Sequence, residues 1–167
     1  MKKNKILLAE PVIQTQETAA LINKVLKTNF PNEGKFTRLF ENKLSSLLKV
    51  KYVVATTSGT ISIFLALKAA GVKKDDEIII PNITFPATAN AVKLAGAKPI
   101  LADVNKDNLL MDEQSLIKNI NKKTKAIIPV HISGRGTNIS EILKIARAKG
   151  LYVIEDAAEA FMSRRHN

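Results

Sequence analysis

The sequence predicts an α/β fold built on a mainly parallel sheet flanked by helices. Short apolar runs rich in β-branched residues alternate along the chain with amphipathic stretches of helical period. No linker, low-complexity segment or sequence repeat interrupts this alternation. Strands separated by helices pair in parallel through right-handed crossovers, and a chain of 167 residues can bury a real core. We expect residues 1–32 to form an N-terminal helical arm and residues 33–167 to form the domain that contains the sheet.

The first elements are two amphipathic helices and a strand. Apolar residues recur at helical spacing in residues 14–27, and Pro31 closes that segment. Residues 36–48 carry a second apolar stripe. A short valine-rich run then predicts a strand over residues 52–55, and the turn after it leads into a helix that ends at Gly71.

The remaining elements repeat this alternation of strand and helix. Strands are predicted over residues 77–80, stopped by Pro81, and over residues 99–104, 126–130 and 151–154. Helices are predicted from Pro86 to Ala95 with Gly96 after it, from a cap at Asp112 through Leu116 and Ile120, and from Asn138 or Ser140 to Gly150. Open sheets of this kind bind ligands at the carboxyl ends of their strands.

Composition excludes several classes of protein. The net charge is +11, but the lysines are spread over nearly every segment without interleaved aromatics, so we expect a solvated surface and no nucleic-acid partner. No apolar run reaches the roughly 18 residues of a membrane span, and the apolar stretch near the start is too short for a signal peptide. Without cysteines there is no disulfide framework, and we predict no metal site and a cytoplasmic protein.

The turn Thr57-Ser58-Gly59-Thr60 is the first candidate site. It stands between a predicted strand and a helix, where free N–H groups attract an anion and glycine allows close approach. The hydroxyls of Ser58 and Thr60 would complete a phosphate cup, although a serine in this position also serves as an ordinary N-cap. Neither the dinucleotide fingerprint nor the Walker loop matches, which disfavours NAD and ATP.

Two further candidates follow later strands. Phe85, in the loop after the strand at residues 77–80, either stacks on a planar ligand or belongs to the core. Asp156 and Glu159 follow an apolar run and either cap the next segment or face a ligand. A carboxylate held against a pyridine nitrogen keeps it protonated, which makes pyridoxal phosphate an electron sink. The order of phosphate cup, aromatic ring and acid along one sheet favours this cofactor.

These residues resemble the DegT/DnrJ/StrS family of pyridoxal-phosphate-dependent sugar aminotransferases from about residue 33 to residue 160. The motifs that carry the resemblance are Phe40-Glu41, Ser58-Gly59-Thr60, Asp76-Glu77-Ile78-Ile79-Ile80-Pro81, Thr84-Phe85-Pro86-Ala87-Thr88-Ala89-Asn90-Ala91, Gly96-Ala97-Lys98-Pro99, Lys123-Thr124-Lys125-Ala126-Ile127-Ile128-Pro129-Val130-His131 and Glu155-Asp156-Ala157-Ala158-Glu159-Ala160. The last of these is most similar to perosamine synthetases. We assign His131 no role in the site, because a hydrogen-bonded histidine at a strand end is the usual case.

The resemblance implies both a fold and an activity. It implies the large domain of the aspartate-aminotransferase type (fold type I) and amino transfer from glutamate to a nucleotide-linked keto sugar in amino-sugar and polysaccharide biosynthesis. Gly59 and Thr60, with Ser58 beside them, would hold the phosphate of pyridoxal 5'-phosphate. Phe85 would stack on the ring, Asp156 would pair with its nitrogen, and Glu159 would lie near its hydroxyl. Family members work as homodimers with sites at the subunit interface.

The sequence departs from the family in one important respect. In the family a lysine follows the aspartate by roughly two dozen residues and forms the Schiff base with the cofactor. Here no lysine follows Asp156, and the last one, Lys149, is on a predicted helix upstream. We therefore expect a truncated chain without the C-terminal small domain, with no catalytic residue of its own and no activity alone.

Three alternatives remain open from the sequence. The chain is the N-terminal part of a sugar aminotransferase, either inactive or completed by a complementary chain. In the second alternative, the chain is a noncatalytic binding or interaction module that keeps the sheet. A third, desulfurase-like branch of the same fold is disfavoured by the wording around Gly96 and His131. The sequence names neither the sugar nor the nucleotide.

Overall fold

A computed structural model describes residues 13–28, 32 and 34–164. The predicted helix stop at Pro31 lies outside the described residues. The chain divides between Ala55 and Thr56 into two compact units. The boundary between residues 32 and 33, and the absence of a small domain, stay predictions.

The first unit contains the two predicted helices, α1 (Thr15–Leu26) and α2 (Lys35–Leu48). Neither helix has a buried residue among those described. Apolar side chains on both, such as Leu26 and Phe40, are more than half exposed. The helical prediction is therefore confirmed, while the apolar stripes that suggested it have no covering layer within the described residues.

The predicted strand over residues 52–55 is wrong. This segment belongs to no sheet in the described chain, and Tyr52 and Val54 are 77% and 75% exposed. A strand needs a hydrogen-bonded neighbour, and valine-rich composition alone does not supply one. The N–H of Ala55 donates instead to the carboxylate of Glu41 at 2.8 Å.

The second unit holds a parallel sheet. Its strands are β1 (Glu77–Pro81), β2 (Lys98–Ala102), β3 (Thr124–Ile127) and β4 (Tyr152–Val153), in the order β2-β1-β3-β4. The strands after β1 are shorter than the sequence predicted at their carboxyl ends. Val104 makes an isolated antiparallel bridge with Met111, and Val130 makes a parallel bridge with Asp156. Pro81 is the last residue of β1 rather than the residue after it. Its partner in β2, Ala102, accepts from the N–H of Asn82 at 2.8 Å.

Four helices flank this sheet, and sequence signals fix their ends. They are α3 (Gly59–Ala69), α4 (Pro86–Leu94), α5 (Glu113–Asn119) and α6 (Ile139–Lys149), with a short 3-10 turn at Ile132–Gly134. Asp112 caps α5 as predicted, accepting from the N–H of Ser115 at 2.7 Å. Asn138, not Ser140, precedes α6, and Gly150 ends it with a φ of 65°.

Alternate residues of the central strands divide the core into two layers. Ile78 and Ile80 of β1 pack with α3 and α4, whereas Ile79 packs with α5 and α6. Ile127, the last residue of β3, and Ile128, just after it, divide in the same way. A parallel sheet covered on both faces explains the unbroken apolar run in β1. In the described part of the chain, no helix is both long and apolar enough to cross a membrane.

Candidate functional site

A hollow of about 100 Å³ lies at the carboxyl ends of the strands in the second unit. Four of the six predicted site residues line it, namely Gly59, Phe85, Asp156 and Glu159. They come from the start of α3, the start of α4 and the segment after β4. Parallel strands bring these distant segments together, because all their carboxyl ends reach the same edge.

Asp156 is the most firmly held of the four. The Thr88 hydroxyl donates to its Oδ2 at 2.9 Å, and the N–H of Ala158 donates to its Oδ1 at 3.2 Å. Both of its backbone groups bond to the segment after β3, because its N–H donates to Pro129 O at 2.9 Å and its carbonyl accepts from His131 N–H at 3.0 Å. The side chain is half-buried and faces the hollow from a fixed backbone.

Glu159 is held by a strained turn. Its Oε2 accepts from the N–H of Ser133 at 2.6 Å. Ser133 has a φ of 51°, in the left-handed region that non-glycine residues rarely adopt. The next residue, Gly134, has a φ of 77° and makes the turn possible. Strain of this kind is often kept where a side chain must be presented in one direction.

The α3 end of the hollow is open. Gly59 lines it, and a Cβ added to Gly59 would meet nothing within 4 Å. Ser58 and Thr60 do not line the hollow. The Ser58 hydroxyl accepts from Ile61 N–H at 3.3 Å, which is the N-cap interpretation that the sequence left open. Gly59 is thus kept free of packing at the positive end of an 11-residue helix.

Phe85 immediately precedes α4 and is 72% exposed while lining the hollow. The alternative that it belongs to the core is therefore wrong. An exposed aromatic ring beside a carboxylate and a helix N-terminus offers a flat apolar face to a ligand.

Another hollow of the second unit offers few polar groups that are free to bind a ligand. It measures about 360 Å³ and is lined largely by amide and carboxylate side chains. Most of those groups are already bonded within turns and caps: Asn105 accepts from Asp107 N–H, Asn108 accepts from Leu110 N–H, and Glu113 accepts from Asn138. Across the described residues, no group of three or more histidine or acidic side chains is arranged to hold a metal.

Sequence reasoning missed the residues behind the site. Thr88 and Ala158 hold Asp156, and Ser133 holds Glu159. Thr88 and Ala158 belong to motifs of the family resemblance, but their residue types do not indicate these contacts. His131 was expected to be hydrogen-bonded, and it is: its Nε2 contacts Glu155 at 3.0 Å and its Nδ1 accepts from Thr137 N–H at 3.0 Å. The contact between Thr88, in the first turn of α4, and Asp156, 68 residues later, is apparent only in three dimensions.

Comparison with known proteins gives this arrangement a family. The sequence profile of the DegT/DnrJ/EryC1/StrS aminotransferase family matches residues 12–167. The chain belongs to this family. Among its relatives, GDP-perosamine synthase of Escherichia coli O157:H7 is 35% identical over 158 residues, covering 92% of this chain and 43% of that protein. The 3-oxo-glucose-6-phosphate:glutamate aminotransferase of Bacillus subtilis (strain 168) is 36% identical over 162 residues, covering 95% and 37%.

Solved structures of the family agree with the architecture. The crystal structure of NtdA from Bacillus subtilis with bound cofactor PMP superposes with a TM-score of 0.85 at 34% identity, covering 93% of this chain and 38% of that one. The predicted fold of the aminotransferase large domain is therefore confirmed over this length. The chain spans roughly two fifths of the length of the relatives it matches.

Proposed function

We propose that this chain is the cofactor-binding part of a pyridoxal-phosphate-dependent aminotransferase that moves an amino group from glutamate to a nucleotide-linked keto sugar. Family membership supports the reaction class. The names of two relatives support the substrates: one is a GDP-perosamine synthase, and the other is a glutamate aminotransferase acting on 3-oxo-glucose-6-phosphate. The second name leaves a sugar phosphate as the alternative acceptor.

The observation that carries the proposal is the composition of the small hollow. It joins a helix N-terminus at Gly59, the exposed ring of Phe85 and the carboxylate of Asp156. These fit a phosphate dianion, a flat heterocycle and a protonated ring nitrogen in turn. Glu159 on the same wall would face the ring hydroxyl. When bound, the cofactor supplies an electron sink for the substrate carbon.

The phosphate would be held by the first turn of α3. The backbone N–H groups of Gly59 and Thr60 and the Thr60 hydroxyl are the proposed donors. The Ser58 hydroxyl is the fourth, because its cap bond to Ile61 uses an oxygen lone pair and leaves its proton for the phosphate.

This chain alone would hold the cofactor without a covalent bond and would not transaminate. The described residues that line the hollow include no lysine. Lys149, the last lysine of the sequence, ends α6 just before β4, whereas Asp156 follows β4. These two residues therefore flank opposite ends of a strand. We further propose a cytoplasmic homodimer as the working form, by analogy with the family.

Binding of the cofactor tests this function directly. Purified chain is titrated with pyridoxal phosphate and followed by the absorbance and fluorescence of the bound ring. We expect saturable binding that Asp156→Asn weakens about tenfold, because a charge-assisted hydrogen bond is lost. Asp103→Asn is the matched control, since Asp103 is an exposed acid just after β2 that does not line the hollow. Equal loss in both variants, or no binding by the unmodified chain, would overturn the proposal.

Reduction separates covalent from noncovalent binding. Borohydride treatment of the mixture, followed by peptide mass analysis, is expected to leave every lysine without a stoichiometric adduct. A single lysine modified in proportion to bound cofactor would contradict noncovalent binding while leaving the binding site itself intact.

A second candidate function is that of a module completed by another chain. The free edge of β4 favours it, because this outermost strand has no neighbour on its far side within the described sheet. Co-purification with the C-terminal part of an aminotransferase, together with restored amino transfer, would support a split enzyme. Stable cofactor binding together with no restored amino transfer in the presence of that C-terminal part would favour a noncatalytic module.

A further inference from the structure

The buried hydroxyl of Thr88 connects two walls of the hollow. Thr88 lies on α4 and is 0% exposed. Its hydroxyl is 2.9 Å from Oδ2 of Asp156, 68 residues away in sequence, and 2.9 Å from the hydroxyl of Thr84. Thr84 lines the hollow beside Phe85. Three polar groups thus form a continuous chain from the α4 wall to the acid.

The direction of these bonds follows from counting protons. A hydroxyl has one proton to donate, and an ionised carboxylate only accepts. Thr88 therefore donates to Asp156 and must accept from Thr84. Bonds aligned in this way polarise one another, and burial removes the competition from water.

We propose that Thr88, supported by Thr84, is a positioning residue that fixes the Asp156 carboxylate for the ring nitrogen of the cofactor; this inference rests on the proposed function. The Thr88 hydroxyl holds Oδ2, and the Ala158 N–H holds Oδ1. With one donor on each oxygen, rotation of the carboxylate about its Cβ–Cγ bond would break both contacts. Each oxygen keeps a lone pair for the ligand.

The same contacts tie the aromatic wall to the acid. Thr84 is adjacent to Phe85 in sequence, and Thr88 is one helical turn further on. The backbone that carries the stacking ring is thereby connected to the acid that would pair with the cofactor. Such preorganisation lowers the cost of ordering the site when a ligand binds.

The test compares two ligands that differ at one ring position. The probes are pyridoxal phosphate and its 1-deaza analogue, in which a C–H group replaces the ring nitrogen. Thr88→Val removes the hydroxyl at nearly constant shape, whereas Thr88→Ser retains it. We expect Thr88→Val to bind pyridoxal phosphate about fivefold more weakly, less than the tenfold expected for Asp156→Asn, because the carboxylate remains and only its orientation is lost. Binding of the deaza analogue should be unchanged, and Thr88→Ser should restore most of the difference.

Controls separate positioning from folding. Thr124→Val removes another buried threonine hydroxyl, which accepts from Asn121 N–H near the opposite end of the sheet, and should leave both affinities unchanged. Thermal unfolding of each variant checks that the fold persists. If Thr88→Val weakens both ligands equally, or neither, the positioning role is wrong. If the unmodified chain does not distinguish the two ligands, or binds neither, it is the proposed function that fails.

Discussion

One backbone amide determines which nitrogen of His131 carries a proton. The Thr137 N–H points at Nδ1 from 3.0 Å, and the Thr137 hydroxyl lies 3.2 Å from the same atom. A backbone N–H can only donate, so Nδ1 must present its lone pair. The proton of the neutral ring is then on Nε2, directed at the Glu155 carboxylate at 3.0 Å. The contact is therefore a hydrogen bond in which the Nε2–H group of His131 donates to the Glu155 carboxylate.

Nitrogen NMR tests this tautomer. We expect the Nε2–H form of His131, with Nδ1 showing the chemical shift of an unprotonated nitrogen. Glu155→Gln should leave the tautomer unchanged, since the amide of Thr137 determines it. A spectrum with Nδ1 protonated at neutral pH would contradict the arrangement.

Residues of the candidate site could be singled out from the sequence where the residue type itself indicated a chemical role. An acid after an apolar run, a glycine before a helix and a phenylalanine in a loop each stand out in sequence. Their partners do not. In the sequence, Thr88 looks like an ordinary helix residue. Its contact with Asp156 depends on a segment 68 residues away. The structure brings four of the six predicted residues to one hollow, and the roles of all six toward the cofactor stay predictions.

Two of the helices, α2 and α6, end at a left-handed residue, but the residue types differ. Gly150 follows α6 with a φ of 65°, and Lys49 follows α2 with a φ of 55°. Both are left-handed, which glycine adopts without cost and a residue with a Cβ does not. One helix therefore ends at a favoured residue, and the other at a strained one.

Opposite substitutions at these two caps should have opposite effects. Gly150→Ala is expected to lower the free energy of unfolding by about 1 kcal/mol, because nothing lies within 4 Å of the added Cβ and only the φ is unfavourable. Gly150→Asn should cost less, since asparagine tolerates this region. Lys49→Gly should raise the stability by about 0.5 kcal/mol. Urea unfolding measures all three, and a stabilising Gly150→Ala would refute the strain argument.

Helices were better predicted than strands for a physical reason. Caps and apolar spacing are local, so residues 36–48 and Asp112 announced their helices. A strand depends on a partner that local sequence does not contain. Residues 52–55 have strand composition and no ladder, and β4 has two residues in regular pairing where four were expected.

The sheet of the second unit has two unlike edges. In a parallel strand, the N–H and C=O of one residue point to the same side, and successive residues alternate. Lys98 and Ala102 of β2 bond toward β1, so Pro99 and Leu101 face outward, and proline has no N–H to offer. On the other edge, Ile154 and Asp156 bond toward β3, so Val153 and Glu155 present their N–H groups outward. Among the described residues, the β4 edge therefore has two outward N–H donors for another strand, whereas the β2 edge has one, that of Leu101.

Amide hydrogen exchange reports this asymmetry. In dilute protein, the amides of Ile154 and Asp156 should exchange more slowly than those of Val153 and Glu155, because only the first pair donates into the sheet. If chains associate through this edge, Val153 and Glu155 should become protected as concentration rises. Equal protection of all four amides in the monomer would contradict the alternation.

The three consecutive isoleucines of β1 have a consequence for how the strand finds its place. Because both faces of β1 are hydrophobic, polarity alone does not determine which face Ile78, Ile79 and Ile80 each occupy. The number of side chains on each face does distinguish them: two isoleucines pack on the α3 and α4 face, and one packs on the α5 and α6 face. A shift of β1 by one residue would overpack the α5 and α6 face and leave a cavity on the α3 and α4 face. Side-chain volume rather than hydrophobicity therefore specifies the strand register, on which the position of the small hollow depends.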